Sequence, residues 1–384
     1  MTQPSSPLSC DRTYFDIPQD ITYYNCAYLS PMCHPVHEAG IAALNREARP
    51  WTIKPDDFYE DSEVVRGLFA SLIGTESRNV ALIPSVSYGI NVAAQVIEPG
   101  QGRRILLLDE QFPSNVYPWR EAVKRTGAHI VHVPRPQNGD WTRAILDHLD
   151  ERVAVASMPH CHWTDGSLVD LELVSDRCRE LGIPLVLDVT QSLGAMPLNL
   201  DRIRPAFLVA AGYKWLLGPY STAYLYADPR YQDGPQLDPN WMTRKDSRNF
   251  AELVNYRDEL EPGALRYDVG QRSKFILLPM AIAAFRQIMS WGVANIGQAL
   301  GAYNRELREG ARSLGFETLP DKYAAPHLMG LRHPEGIPVE LVRAFQERQI
   351  VVSVRGNAIR VAPHLYNDAE DRRRFLETAA SCLG

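Results

Sequence analysis

Six lysines stand among the 40 basic residues of this 384-residue chain, so amine chemistry has few places to reside. Five lie beside charged or polar neighbours or loop prolines, where a solvated ammonium is the ordinary reading. Lys214 differs. It follows the apolar run Ala206-Phe207-Leu208-Val209-Ala210-Ala211-Gly212-Tyr213 and precedes Trp215-Leu216-Leu217-Gly218-Pro219. Partial desolvation there disfavours the charged form, lowers the pKa and frees the amine as a nucleophile for a Schiff base. The plainer alternative is a lysine snorkelling from a strand end. Upstream, Pro184-Leu185-Val186-Leu187-Asp188-Val189-Thr190-Gln191 carries a carboxylate at the end of another apolar run. A buried carboxylate is costly unless a cation or strong donor faces it. A protonated pyridine nitrogen of a bound cofactor would be such a partner; a helix cap or loop acid is the plainer reading of Asp188 alone.

Other chemistries find little footing. The chain has no GxGxxG, no Gly-Lys dipeptide and no GxSxG, which removes the glycine-rich dinucleotide fingerprint, the P-loop and the hydrolase elbow. His34 with His37, and His160-Cys161-His162, lack the spacing that would converge three or four metal ligands, so no metal is expected. The six cysteines form no CxxC pair and read as reduced, mostly buried thiols. A net charge of -6 and a pI near 6.0 argue against nucleic acid or an anionic membrane as partner. No apolar run reaches membrane-spanning length, and Met1-Thr2-Gln3-Pro4-Ser5-Ser6-Pro7 lacks the features of a secretory signal, so a cytoplasmic protein is expected.

Positioning Lys214 and Asp188 falls to an α/β framework. Short, near-continuously apolar runs predict strands at Val80-Ile83, Arg104-Leu108, His129-Val133, Val153-Met158, Pro184-Val189, Ala206-Ala211 and Thr222-Ala227. Between them, Gly89-Val96, Trp119-Arg125, Arg143-Asp150 and Leu171-Leu181 show helical spacing. The alternation predicts a layered sheet with its ligand crevice at the carboxyl ends of the strands. Farther on, Pro279-Trp291 and Val293-Leu314 read as helices. The expected division is an N-terminal arm over 1–20, a large α/β domain over 21–265 and a small C-terminal domain over 266–384.

Asp188-Val189-Thr190-Gln191 paired with Ala211-Gly212-Tyr213-Lys214-Trp215-Leu216-Leu217-Gly218-Pro219 resembles fold-type I pyridoxal phosphate enzymes, specifically the class V aminotransferase superfamily. That superfamily includes cysteine desulfurases, selenocysteine lyases, kynureninases and isopenicillin N epimerase-like proteins. The similarity runs from about Tyr24 to Asn367. It implies a mainly parallel seven-stranded sheet flanked by helices, a smaller α+β C-terminal domain, pyridoxal 5'-phosphate as cofactor and an amino-acid substrate.

Carried over position by position, the resemblance implies that Lys214 forms the Schiff base and later moves the substrate's α proton. It implies that Asp188 pairs with the pyridine nitrogen and that Gln191 approaches the ring's phenolic oxygen. Phe112, in Glu110-Gln111-Phe112-Pro113-Ser114, would stack on the ring where many desulfurases carry histidine. Pro84-Ser85-Val86-Ser87-Tyr88-Gly89-Ile90-Asn91 is similar to the family's phosphate-binding turn into a helix, with Val86 and Ser87 as contacts. Tyr213 would replace the histidine of the Ser-x-His-Lys motif as a phosphate donor, and Trp163 stands where members place a residue near the ring oxygen. Gly270-Gln271 resembles the segment that crosses from a partner subunit to the phosphate, which implies a homodimer. Arg360, in Ala358-Ile359-Arg360-Val361-Ala362-Pro363-His364, is similar to the arginine that receives the α-carboxylate, and guanidinium chemistry supports it through a planar two-bond match. Arg355 is the weaker candidate for the same role, a surface loop arginine being its plainer reading. Tyr28 and Trp51 are substrate-pocket candidates for which packing is the plainer reading.

The cofactor does not decide the reaction. No cysteine lies between Cys178 and Cys382, which disfavours persulfide transfer by a mobile catalytic thiol. Aminotransfer or carbon–sulfur β-elimination is the leading expectation. Alternatives are an isopenicillin N epimerase-like racemase, a kynureninase-like hydrolase and a non-catalytic cofactor-binding regulator.

Overall fold

The computed structural model describes residue 8 and residues 10–383. Seven strands build the central sheet: β1 (Val80–Ile83), β2 (Arg104–Leu108), β3 (His129–Val133), β4 (Val153–Pro159), β5 (Leu185–Asp188), β6 (Phe207–Ala211) and β7 (Ala223–Ala227). They lie in the order β1-β7-β6-β5-β4-β2-β3. Strands β2 to β6 are parallel to their neighbours, whereas β7 runs antiparallel to both β6 and β1. All seven lie where apolar runs predicted them, within a residue at each end. Alternation explains the continuous apolarity. Leu106, Leu108, Leu185, Leu187, Leu208 and Ala210 enter one buried cluster, while Ile105, Leu107, Val186, Phe207 and Val209 enter the cluster on the other face. At the sheet edge, β3 leaves His129 and His132 exposed.

Helices Val86–Ile97, Tyr117–Thr126, Trp141–His148 and Leu171–Glu180 cover the sheet at the four expected places. Two further helices, His34–Glu47 and Glu60–Ile73, precede the first large-sheet strand and were not among the expected elements. The first buries only Val36, Gly40 and Ala43, too small a set to print a clear apolar stripe. The second carried readable marks: Glu60, Asp61 and Glu63 in its first turn and Gly74 at its C-cap with φ +76°.

Helix Leu277–Trp291 packs into the core of the central sheet through Leu278, Ala281 and Phe285. At Gly292 (φ +78°) the chain bends by 72° into helix Val293–Ser313. Among the described residues no single helix is long and apolar enough to cross a membrane. Leu307 and Ala311 of the second helix join a third cluster with Phe345, Phe375 and a three-stranded antiparallel sheet. That sheet has the order Ser353–Arg355, Ala358–Val361, Met329–Arg332. Thr22–Tyr23 pairs in parallel with Ile350–Val351, and Cys26 N donates to Ala362 O at 3.1 Å. The N-terminal segment is thereby laced to the small sheet, which carries Ala27–Leu29 toward the carboxyl ends of the large one.

Candidate active site

Lys214 is set by the turn after β6. Gly212 N donates to Thr222 O at 2.8 Å, and a Cβ at Gly212 would lie 2.3 Å from Thr222 Oγ1, so only glycine fits against β7 there. Leu217, with φ +53°, returns its N–H to Lys214 O at 3.0 Å. The side chain that emerges is buried, with Nζ 5.1 Å from the Phe112 ring centroid and 5.6 Å from that of Tyr213. Burial lowers its pKa to about 8; Asp188 opposes that shift and the positive field of Arg360 adds to it.

Asp188 ends β5 and is 7% exposed. Burial pushes its carboxyl above the usual range, opposed by Thr190, whose N–H donates to Oδ1 at 3.0 Å, and by Lys214. A cationic group held against this carboxylate would be favoured.

A cavity of about 300 Å³ contains Asp188, Lys214, Phe112 and Tyr213 in its walls, together with Ser85, Val86 and Ser87. Those last three open helix Val86–Ile97, whose first N–H groups have no intrahelical acceptor. Ser85 Oγ accepts from Tyr88 N at 3.3 Å and stands 3.0 Å from Ser87 Oγ. One enclosed space therefore offers amide and hydroxyl donors at a helix N-terminus, an aromatic wall, a carboxylate and a neutralisable amine. These groups match a phosphorylated pyridine aldehyde: dianion, ring, ring nitrogen and carbonyl each find a partner of the right kind.

A second cavity, of about 370 Å³, shares Phe112, Tyr213, Lys214 and Tyr220 with the first and adds Tyr28, Leu29, Trp163, Arg355 and Arg360. Arg360, on strand Ala358–Val361, is 2% exposed. Its Nη1 donates to Trp163 O at 3.0 Å, and its Nε finds no partner. Burial, then Arg355, lowers its pKa to about 10. Tyr28 sits at the cavity rim, well exposed.

Several expected placements change. Arg355, read as a surface loop arginine, lines the second cavity, because the hairpin places it on the same face as Arg360. Trp163 lines that cavity and not the first; its Nε1 donates to Glu110 O at 2.8 Å and its ring stands edge-on to Phe112. Gln191 lines neither cavity, since its amide is committed at both ends: Nε2 donates to Ala27 O at 3.1 Å and Oε1 accepts from Trp215 Nε1 at 3.0 Å. Thr190 lines the first cavity instead. Gly270 and Gln271 line neither cavity within this chain; Gly270 N donates to Asp238 Oδ2 at 2.7 Å. Trp51 is exposed and away from both.

Ser85, Ser114, Thr190, Tyr220, Ser221 and Thr222 also line the first cavity, Tyr220 the second as well, and were missed as contacts. Ser85 alone had a signal, being a serine at an N-cap position. All six cysteines are free, and no described thiol lines either cavity. Burial pushes the Cys26 and Cys161 thiols far up, so neither is a ready nucleophile.

Comparison with known proteins bears on this geometry. The aminotransferase class-V family model matches residues 54–360. The chain is 24% identical over 323 residues to an uncharacterized aminotransferase, YcbU, of Bacillus subtilis, covering 84% of each. It is 25% identical over 343 residues to isopenicillin N epimerase of Streptomyces clavuligerus, covering 83% of this chain and 84% of that one. Two solved structures of C-DES share the fold with TM-scores of 0.86. One, with glycine covalently linked to the PLP cofactor, is 19% identical and is matched over 96% of this chain and 99% of its own. The other, the cystine C-S lyase with its reaction product cysteine persulfide, is 18% identical over 94% and 98%. With its sheet, its buried lysine and most of its length thus accounted for, the chain belongs to the aminotransferase class-V family.

Proposed function

We propose that this chain is a pyridoxal phosphate-dependent enzyme that acts on an amino acid by aminotransfer or by β-elimination across a carbon–sulfur bond. One observation carries the reading: Lys214 is common to both cavities, facing Asp188 in the first and Arg360 in the second. Family membership and the likeness to a C-S lyase support it.

When bound, the cofactor supplies an electron sink for charge developing at the substrate's α carbon. The residues do the rest. Asp188 would hold a protonated ring nitrogen, and the helix opened by Ser85, Val86 and Ser87 would anchor the phosphate. Phe112 and Tyr213 wall the ring and exclude water. Arg360 fixes the α-carboxylate, which orients the α C–H toward Lys214. With a pKa near 8, the Lys214 amine takes that proton near neutral pH. Where the β carbon bears sulfur, the ammonium so formed protonates the departing thiolate; without such a leaving group, aminotransfer remains.

Gly270 and Gln271 would complete the phosphate site of a second copy, making the active unit a homodimer. The chain would divide into an arm (1–20), a cofactor-binding unit (21–265) and a smaller unit (266–384) whose first helix docks on the larger core. Six free cysteines suit a reducing, cytoplasmic setting.

The test is the visible spectrum of the purified protein titrated with amino acids and cysteine S-conjugates, without keto acid. Conversion to the pyridoxamine form means aminotransfer; pyruvate with a released thiol means elimination. Loss of optical activity without either product favours an epimerase, and failure to bind added pyridoxal phosphate overturns the reading.

A further inference from the structure

The second cavity holds more positive charge than one α-carboxylate requires. Ser353 pairs with Arg360 and Arg355 with Ala358 across the hairpin, so Arg355 and Arg360 project from the same face as diagonal neighbours. Such positions lie roughly 7–8 Å apart along the backbone, close enough for both side chains to serve one small molecule. Both guanidiniums stand against the same indole, with Cζ 5.7 Å and 6.0 Å from the Trp163 ring centroid.

Neither cation is neutralised. Among the described residues no carboxylate lies within 4.0 Å of either guanidinium, and the cavity walls contain no acidic side chain. Arg355 Nη1 donates only to the carbonyl of its neighbour Val354, at 2.9 Å, and the Nε atoms of both arginines are buried without a partner. Elsewhere the chain does pair its buried guanidiniums: Arg66 and Arg272 share Asp268. Like charges placed together on one face repel, and a desolvated cation without a counter-ion is unfavourable. Arg360 is buried and Arg355 half-buried with its head group open to solvent, so the protein itself supplies no counter-charge at this hairpin and leaves room for an anionic ligand to supply it.

We infer that the second cavity is built for an amino acid bearing a second anionic group, a carboxylate or sulfur oxyanion, on its side chain, with Arg360 holding the α-carboxylate and Arg355 the second anion. The inference rests on the proposed function, which sets the α carbon beside Lys214. The remaining wall, Leu29, Trp163 and Tyr220 with Tyr28 at the rim, suits a short apolar linker between the two anions.

Two measurements test it. In the holoenzyme, kcat/KM is compared for matched acid and amide pairs: aspartate with asparagine, glutamate with glutamine, and an S-carboxyalkyl cysteine with its amide. At least one acid is expected to exceed its amide tenfold or more. Arg355→Gln should collapse that ratio toward one, and Arg355→Lys should keep most of it. Acid and amide used equally by the wild type, or an Arg355→Gln loss equal for both, would overturn the assignment. The second measurement needs no cofactor: thermal stabilisation by succinate or glutarate against propionate at equal ionic strength. Selective stabilisation by the dicarboxylates, lost in Arg355→Gln, supports the two-anion site, and equal shifts overturn it. A protein that bound dicarboxylates but no pyridoxal phosphate would defeat the proposed function alone; one that bound the cofactor without discriminating would defeat this inference alone.

Discussion

The surroundings of Lys214 deny solvent to its ammonium, so its behaviour should follow pH in a defined sense. In the proposed mechanism the neutral amine is the nucleophile, and burial lowers its pKa to about 8, so covalent loading of the apo-protein should accelerate as pH rises from 7 to 9 and level off above. Stopped-flow absorbance during cofactor addition measures this. Arg360→Ala removes a positive field that holds the Lys214 pKa down, so the same midpoint should move upward. Substrates with an α-carboxylate should also bind the variant more weakly, whereas the corresponding amines should be nearly unaffected. Lys214→Ala should abolish covalent loading and lower turnover by roughly 10²–10⁴-fold or more; a variant that still turns over at the wild-type rate would remove Lys214 from the mechanism.

At the scale of elements, the helix proposed to hold the phosphate and the sheet meet at Gly89. A Cβ there would stand 2.6 Å from Val209 Cγ1 and 2.7 Å from Ile83 Cδ1, two branched side chains fixed in β6 and β1. Gly89→Ala should therefore push the helix off the sheet, costing about 1–3 kcal/mol in urea unfolding and weakening cofactor affinity, because Ser85 and Ser87 open that helix. A second joint is the buried group of Arg66, Asp268 and Arg272. Arg66 Nη2 lies 2.8 Å from Asp268 Oδ2, Arg272 pairs with the same oxygen, and Leu82 N donates to Oδ1 at 2.7 Å. Asp268→Ala leaves two buried guanidiniums with only the partly exposed Glu63 as counter-charge, and a loss of about 3–5 kcal/mol is expected in the same assay. The segment that follows, Gly270–Gln271, should lose its order as well.

The whole molecule contributes what no single element does, namely the meeting of a large-sheet lysine with small-sheet arginines. Their shared cavity depends on the N-terminal segment, whose Thr22–Tyr23 strand and Cys26 amide tie Tyr28 and Leu29 across both units. The proposed second copy enters at this scale too. Light scattering of the purified protein should report a dimer, and Gly270→Trp, placed on the proposed crossing segment, should weaken cofactor binding or dimerisation. A monomer that loads cofactor and turns over normally would contradict the proposed crossing.

The strands that carry Asp188 and Lys214 were legible because burial on both faces writes an unbroken apolar run, and a polar residue that ends such a run stands out. Helix His34–Glu47 was illegible because it packs through small side chains that print no stripe. Residue type and spacing alone determined the α/β framework and singled out Lys214 and Asp188 as polar residues ending apolar runs, which follow from local pattern; the roles of the two came only as what the family resemblance implies. Only the tertiary structure decided that Gln191 is spent on Ala27 and Trp215, and that Arg355 shares a face with Arg360. The partners of Gln191 lie 164 and 24 residues away, beyond any short window of sequence; Arg355 and Arg360 are close in the chain, but the face they share is set by the register of the hairpin between them, which residue type alone does not fix.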